Sequence, residues 1–161
     1  ANGEQQSVIS SFQENQAVSI KNIDRVVQED ARRVSFSGVS QGSFGISSDF
    51  PSDLHSYFES DSALSLTIKL DSQPSGSVFV DMDCGTRCTA RVDLSETLAV
   101  LPVNQWQDVS IDLACFKIEG SDRGQIFSPI TWSTQGASVV NFSTILIVPD
   151  SAAAATLRCR S

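Results

Sequence analysis

Along Val78-Phe79-Val80-Asp81-Met82-Asp83, one aromatic ring and two carboxylates alternate with three apolar side chains. Alternate residues of a strand share a face. Phe79, Asp81 and Asp83 therefore take a wet face, and Val78, Val80 and Met82 a buried one. An exposed ring stacks on the apolar C–H face of a pyranose, and carboxylates, amides or cations bond the hydroxyls around it. Sugar binding is the chemistry this combination can do. Thr67, Lys69, Arg91 and Asp112 stand at outward positions of the other central segments and widen the polar set. A hairpin between 63–70 and 77–83 would set Phe79 between Lys69 and Asp81. The commoner alternative is a face overlaid by an arm or loop, with Phe79 as core and the polar groups paired among themselves. A second candidate pair, His55 and Tyr57, lies in the long loop Ser48 to Ser62, where a rigid frame presents ligand contacts. There too Tyr57 and Phe58 can act simply as anchors.

Catalysis finds less support. A histidine base would have to be His55, the single histidine, and the chain has no Gly-x-Ser-x-Gly elbow and no glycine-rich phosphate loop. Glycoside hydrolysis needs two carboxylates facing each other across a cleft. Of the six glutamates, Glu4, Glu14, Glu29, Glu59, Glu96 and Glu119, only Glu29 lies in or beside a strand-like segment. Asp81 and Asp83 are a strand-borne pair, but side by side on one strand they do not bracket a scissile bond. No catalytic residue and no cofactor are assigned. Asp81 with Asp83, or Asp122 with nearby carbonyls, offers the oxygen ligands a structural calcium ion takes. The chain has no Asp-x-Asp-x-Asp-Gly loop, and Asp122 more simply bonds amides of its own turn.

Cys84, Cys88, Cys115 and Cys159 allow three connectivities. Cys84 and Cys88 close a tiny loop. Pairing them, with Cys115 to Cys159, is favoured; it pins a loose tail and implies an oxidising compartment, periplasm or exterior. Zinc is disfavoured, because His55 is distant and Cys-x-x-x-Cys lacks a second pair. The 161 residues suit one domain with a full core. A net charge of −8 and a pI near 4.4 give no electrostatic reason to bind nucleic acid or an anionic membrane. The longest apolar runs, such as Thr144 to Pro149, are of strand length. A chain that starts at Ala1 and whose single methionine is Met82 reads as a processed or excised piece of a larger protein.

The elements that must hold these residues are short strands. Segments near 17–20, 23–28, 33–37, 43–47, 63–70, 78–83, 109–113, 126–127, 130–134 and 138–148 alternate or are rich in β-formers, and Gly, Ser, Asp and Pro separate them. Leu94 to Leu101 reads as a short helix. About eight to ten strands without long helices predict an all-β, antiparallel β-sandwich of jelly-roll type. Residues 1–16 read as a linker or leading arm, 17–150 as the sandwich, and 151–161 as a tail tied by a disulfide. Trp106, which precedes Val109, Ile111 and Leu113, reads as packing, and Trp132 as core.

The arrangement Cys84-Gly85-x-x-Cys88, Trp106-x-x-Val109-x-Ile111-x-Leu113-x-Cys115-Phe116, then Gly120-x-Asp122 resembles one particular module. This is the extra C-terminal, galactose-binding-like β-sandwich domain of bacterial family 3 glycoside hydrolases, the exo-acting β-1,3/1,4-glucanases. The resemblance runs from about Phe36 to Val148. It implies a jelly roll and a secreted or periplasmic parent that releases glucose from β-glucans by a retaining mechanism, with the catalytic carboxylates in other domains. It leaves two roles for this chain. One is weak β-glucan or oligosaccharide binding, which adds a second attachment point. The other is packing on the parent's catalytic domains, or oligomerisation, with no sugar affinity. An independent small hydrolase ranks last.

Overall fold

A computed structural model of the chain describes residues 5–6, 18–23, 25–26, 31–37, 42–46, 53–85 and 88–159. Among these residues are ten strands: β1 (Gln5–Gln6), β2 (Val18–Ile23), β3 (Ala31–Phe36), β4 (Gly42–Ile46), β5 (Ala63–Leu70), β6 (Val78–Asp83), β7 (Thr89–Asp93), β8 (Trp106–Asp112), β9 (Ser128–Thr134) and β10 (Ser138–Val148). They form two antiparallel sheets. The larger runs β2-β3-β10-β5-β8, with β1 on the far end of β10; the smaller runs β4-β9-β6-β7. The predicted all-β antiparallel sandwich is the observed architecture.

The core lies between the sheets. Leu64, Leu66, Ile68 and Leu70 of β5 and Val78, Val80 and Met82 of β6 are all buried. Phe142 stacks on Phe44 with ring centroids 4.9 Å apart and meets Trp132 edge-on at 5.1 Å. Trp132 is wholly buried, as its alternation with Ile130 and Thr134 predicts. Between Phe142 and Thr144 the register of β10 shifts, so Phe142 and Ile145 both turn inward despite their odd spacing.

The expected hairpin between 63–70 and 77–83 is corrected by this arrangement. β5 pairs with β10 and β8, whereas β6 pairs with β7 and β9. The apolar faces of β5 and β6 meet across the sandwich instead of lying side by side, and residues 71–77 carry the chain from one sheet to the other. Val18–Ile23 is one strand, the expected strand at 23–28 lies partly outside the described residues, and Thr89–Asp93, absent from the expected strands, is the edge strand β7. The predicted helix is shorter, α2 (Ser95–Ala99), and part of the expected 48–62 loop is a helical turn, α1 (His55–Glu59).

The structure pairs Cys84 with Cys88 and Cys115 with Cys159, the favoured connectivity. The tail lies along the outer edge of β8. Leu157 bridges Ile111 in parallel, and Thr156 and Ser110 exchange two hydrogen bonds. Among the described residues, no helix is long and apolar enough to cross a membrane. Glu4, Glu14, Glu29, the apolar Val8, Ile9 and Phe12 of the arm, and the Asp49-Phe50-Pro51 part of the loop lie outside the described residues.

Candidate functional site

The predicted site residues separate onto three places. Phe79, Asp81 and Asp83 stand on the outer face of the smaller sheet. Lys69 and Thr67 stand on the outer face of the larger one, about 10 Å away through the core. His55 and Tyr57 belong to α1. Asp112, expected on an outward face, is buried where β8 ends; its Oδ1 accepts from the Ala114 N–H at 2.9 Å.

On the smaller sheet, cross-strand register sets Asp81 opposite Arg91 of β7. Arg91 Nε and Nη2 donate to Asp81 Oδ1 and Oδ2 at 2.9 and 3.0 Å, a bidentate pair. Hydrogen bonding to Asp81 raises the Arg91 guanidinium above its ordinary value. The same guanidinium sits 4.5 Å from the centre of the Phe79 ring. Asp83 Oδ1 accepts from the Gly85 N–H at 3.0 Å. The ring that sequence alone offers as a stacking platform is thus covered on one side by an arginine, and the carboxylates beside it are engaged.

On α1, His55 Nε2 lies 3.3 Å from Glu59 Oε2, and Tyr57 packs against the core. The tyrosine is therefore an anchor. Among the described residues, no three His, Cys, Asp or Glu side chains gather as metal ligands.

A different group comes together on the larger sheet. Register places Lys21, Arg33, Asn141, Lys69 and Trp106 in one row across β2, β3, β10, β5 and β8. Trp106 is only partly buried. Lys69 Nζ lies 5.6 Å and the Arg25 guanidinium 5.5 Å from its ring centre, near the outer limit for a cation–π contact. Next to the row, Thr67 Oγ1 donates to Asp108 Oδ1 at 2.7 Å. Asn141 is fully buried and holds the middle. Its amide donates to the Lys69 carbonyl at 2.9 Å and to Asp71 Oδ1 at 2.8 Å, and its Oδ1 accepts from Arg33 Nε at 3.1 Å. Arg33 also lies 3.4 Å from Asp71. An indole at one end is followed by fixed donors and acceptors spaced by the strand separation of about 4.8 Å.

Trp106, Asp108, Arg33, Asn141 and Arg25 escape a reading that takes Trp106 as packing. The signal was present: 106 shares parity with 108 and 110, not with the inward 109 and 111. Arg33 and Asn141 meet Lys69 only through strand pairing, which alternation does not reveal.

A family model described as galactose-binding domain-like matches residues 1–147. No curated protein matches the chain by sequence. The fold is shared with the extra C-terminal domain (X) of the exo-1,3/1,4-β-glucanase ExoP from a Pseudoalteromonas species. That match has a TM-score of 0.66 and 19% identity, and covers 83% of this chain and 71% of that one. Against the structure of exo-1,3/1,4-β-glucanase ExoP from the same organism, the TM-score is 0.69 at 18% identity over 92% of this chain. This chain spans only 19% of that one. A family 30 carbohydrate-binding module of a cellulosomal cellulase from Clostridium thermocellum matches with a TM-score of 0.67 and 17% identity, covering 89% of both chains.

Proposed function

The chain belongs to the galactose-binding domain-like family, and from that premise we propose that it is a non-catalytic accessory domain of a β-glucan-degrading enzyme, binding β-glucan weakly on the outer face of its larger sheet. The observation that carries this reading is the row that begins at Trp106. A partly exposed indole accepts the apolar face of a glucose ring. Lys69, opposite it on β5, and Asp108, two residues along β8, stand beside it to bond hydroxyls of the same glycan. The name of ExoP, an exo-1,3/1,4-β-glucanase, supports the choice of glucan. The proposed parent is a family 3 exo-β-glucanase of the periplasm or exterior, where two disulfides persist. Its catalytic carboxylates belong to other domains, and this one raises the local substrate concentration.

The smaller sheet suits the second proposed partner, the catalytic domains of the parent. Its charges pair with one another across β6 and β7, so covering that face strands few of them. Calorimetric titration of the chain with mixed-linkage β-glucan oligosaccharides tests the binding role. Binding should weaken at least about tenfold, about 1.4 kcal/mol, in Trp106→Ala and stay unchanged in Phe79→Ala. No heat with either linkage at millimolar sugar would leave the interdomain role alone.

A further inference from the structure

We propose that the end of this row remote from Trp106 is a subsite for an anionic group, a carboxylate or a sulfate, carried by the polysaccharide. The proposal rests on the reading of this face as glycan-binding, and goes beyond a neutral glucan. The chain is acidic, with 11 Lys and Arg against 19 Asp and Glu. Yet the row across the larger sheet carries Lys21, Arg33 and Lys69, and Arg25 reaches over Trp106 at its end. Lys21 and Arg33 are directly opposite each other on β2 and β3. Like charges at that separation oppose folding, and among the described residues Asp71 offsets only one of the two, through Arg33.

The arginine is also prepared for a ligand. Its Nε is fixed by Asn141, a fully buried side chain whose own amide is held by Asp71 and the Lys69 carbonyl. Its two terminal nitrogens make no hydrogen bond among the described residues. The Arg33 side chain keeps 38% of its surface exposed. A guanidinium anchored through Nε presents Nη1 and Nη2 as donors to a carboxylate or sulfate. Lys21, exposed on the edge strand beside it, supplies a second positive charge. Three strand spacings, about 14 Å, separate Arg33 from Trp106. A sugar stacked on the indole and an anion held by Arg33 thus belong to different residues of one glycan chain.

The test is calorimetry of the full 161-residue chain with three matched oligosaccharides: a neutral mixed-linkage β-glucan, its C6-carboxylated derivative and its sulfated derivative. At low salt, at least one anionic ligand should bind about tenfold tighter than the neutral one. That advantage should collapse near 1 M salt, where the Debye length falls to about 3 Å. Arg33→Gln and, separately, the edge-strand variant Lys21→Gln should remove the advantage and leave the neutral isotherm in place. A gain with only one derivative identifies the group as carboxylate or sulfate. Equal affinity for neutral and anionic ligands, or an advantage untouched by both variants, overturns the subsite and spares the glucan-binding reading. No binding of any of the three overturns both.

Discussion

Trp106 and Phe79 are both aromatic residues on the outer face of a sheet, and their neighbours decide what each can do. Phe79 lies under the Arg91 guanidinium, which Asp81 holds in a bidentate grip. A sugar arriving there must displace a charged group already satisfied. Among the described residues, the cations nearest the Trp106 ring are looser, at 5.5 and 5.6 Å. The Arg91 clamp occupies a site without holding the fold together. With the arginine side chain 48% exposed, Arg91→Ala should cost under about 1 kcal/mol in denaturant unfolding. At this scale, the sequence shows which face each residue takes. Phe79 is outward by its alternation with Val78 and Val80, and Trp106 is outward by its parity with Asp108. It does not show what lies over them, because Arg91 and Arg25 arrive from other strands or loops.

At the scale of elements, alternation locates strands well where apolar residues are long and regular. Ala63–Leu70 and Val78–Asp83 are legible to the residue for that reason. Thr89–Asp93 is not, because only Ala90 and Val92 mark its inward face and the Cys84–Cys88 turn draws it into the connection. Pairing is less legible still, since a period of two states which way a side chain points and not which strand lies beside it. The junction of β7 and α2 yields a pH prediction. Hydrogen bonds from the Ser95 hydroxyl and N–H, the latter at 2.9 Å, hold the Asp93 carboxyl below the usual carboxylate range. A lowered folded value means that its stabilisation is present above the unfolded value and is lost as pH falls through the folded one. The stability gap between the native chain and Asp93→Ala should therefore be constant near neutrality and shrink below about pH 4. Thermal unfolding of both across that range reads it out. A gap that widens on acidification contradicts the assignment.

For the whole molecule, two layers of short strands place their polar rows on opposite outsides and leave a dry core between them. The Cys115–Cys159 bridge spans 44 residues and ties the tail to the edge of β8. Loop entropy gives such a bridge about 4 kcal/mol, against about 2 for the Cys84–Cys88 loop. Replacing Cys115 and Cys159 together by serine should lower denaturant stability by the larger amount and raise hydrogen exchange at Ser110 and Asp112, whose N–H groups donate to the tail. The fold class was legible from composition and turn spacing, and the disulfides from count and loop size. The face proposed to bind glycan was not, because it is assembled from five strands whose neighbours only the fold decides.

The central claim is that a glycan lies along this face with a sugar on Trp106. Two indole N–H groups make it directly measurable. Trp132 is wholly buried and its Nε1 has no hydrogen-bond partner among the described residues, whereas Trp106 is partly exposed. In a 1H–15N spectrum titrated with mixed-linkage β-glucan oligosaccharide, the Trp106 indole signal should move progressively while that of Trp132 stays in place. A Trp106 signal that is still at millimolar sugar, or shifts confined to Phe79, Asp81 and Arg91, would contradict the account.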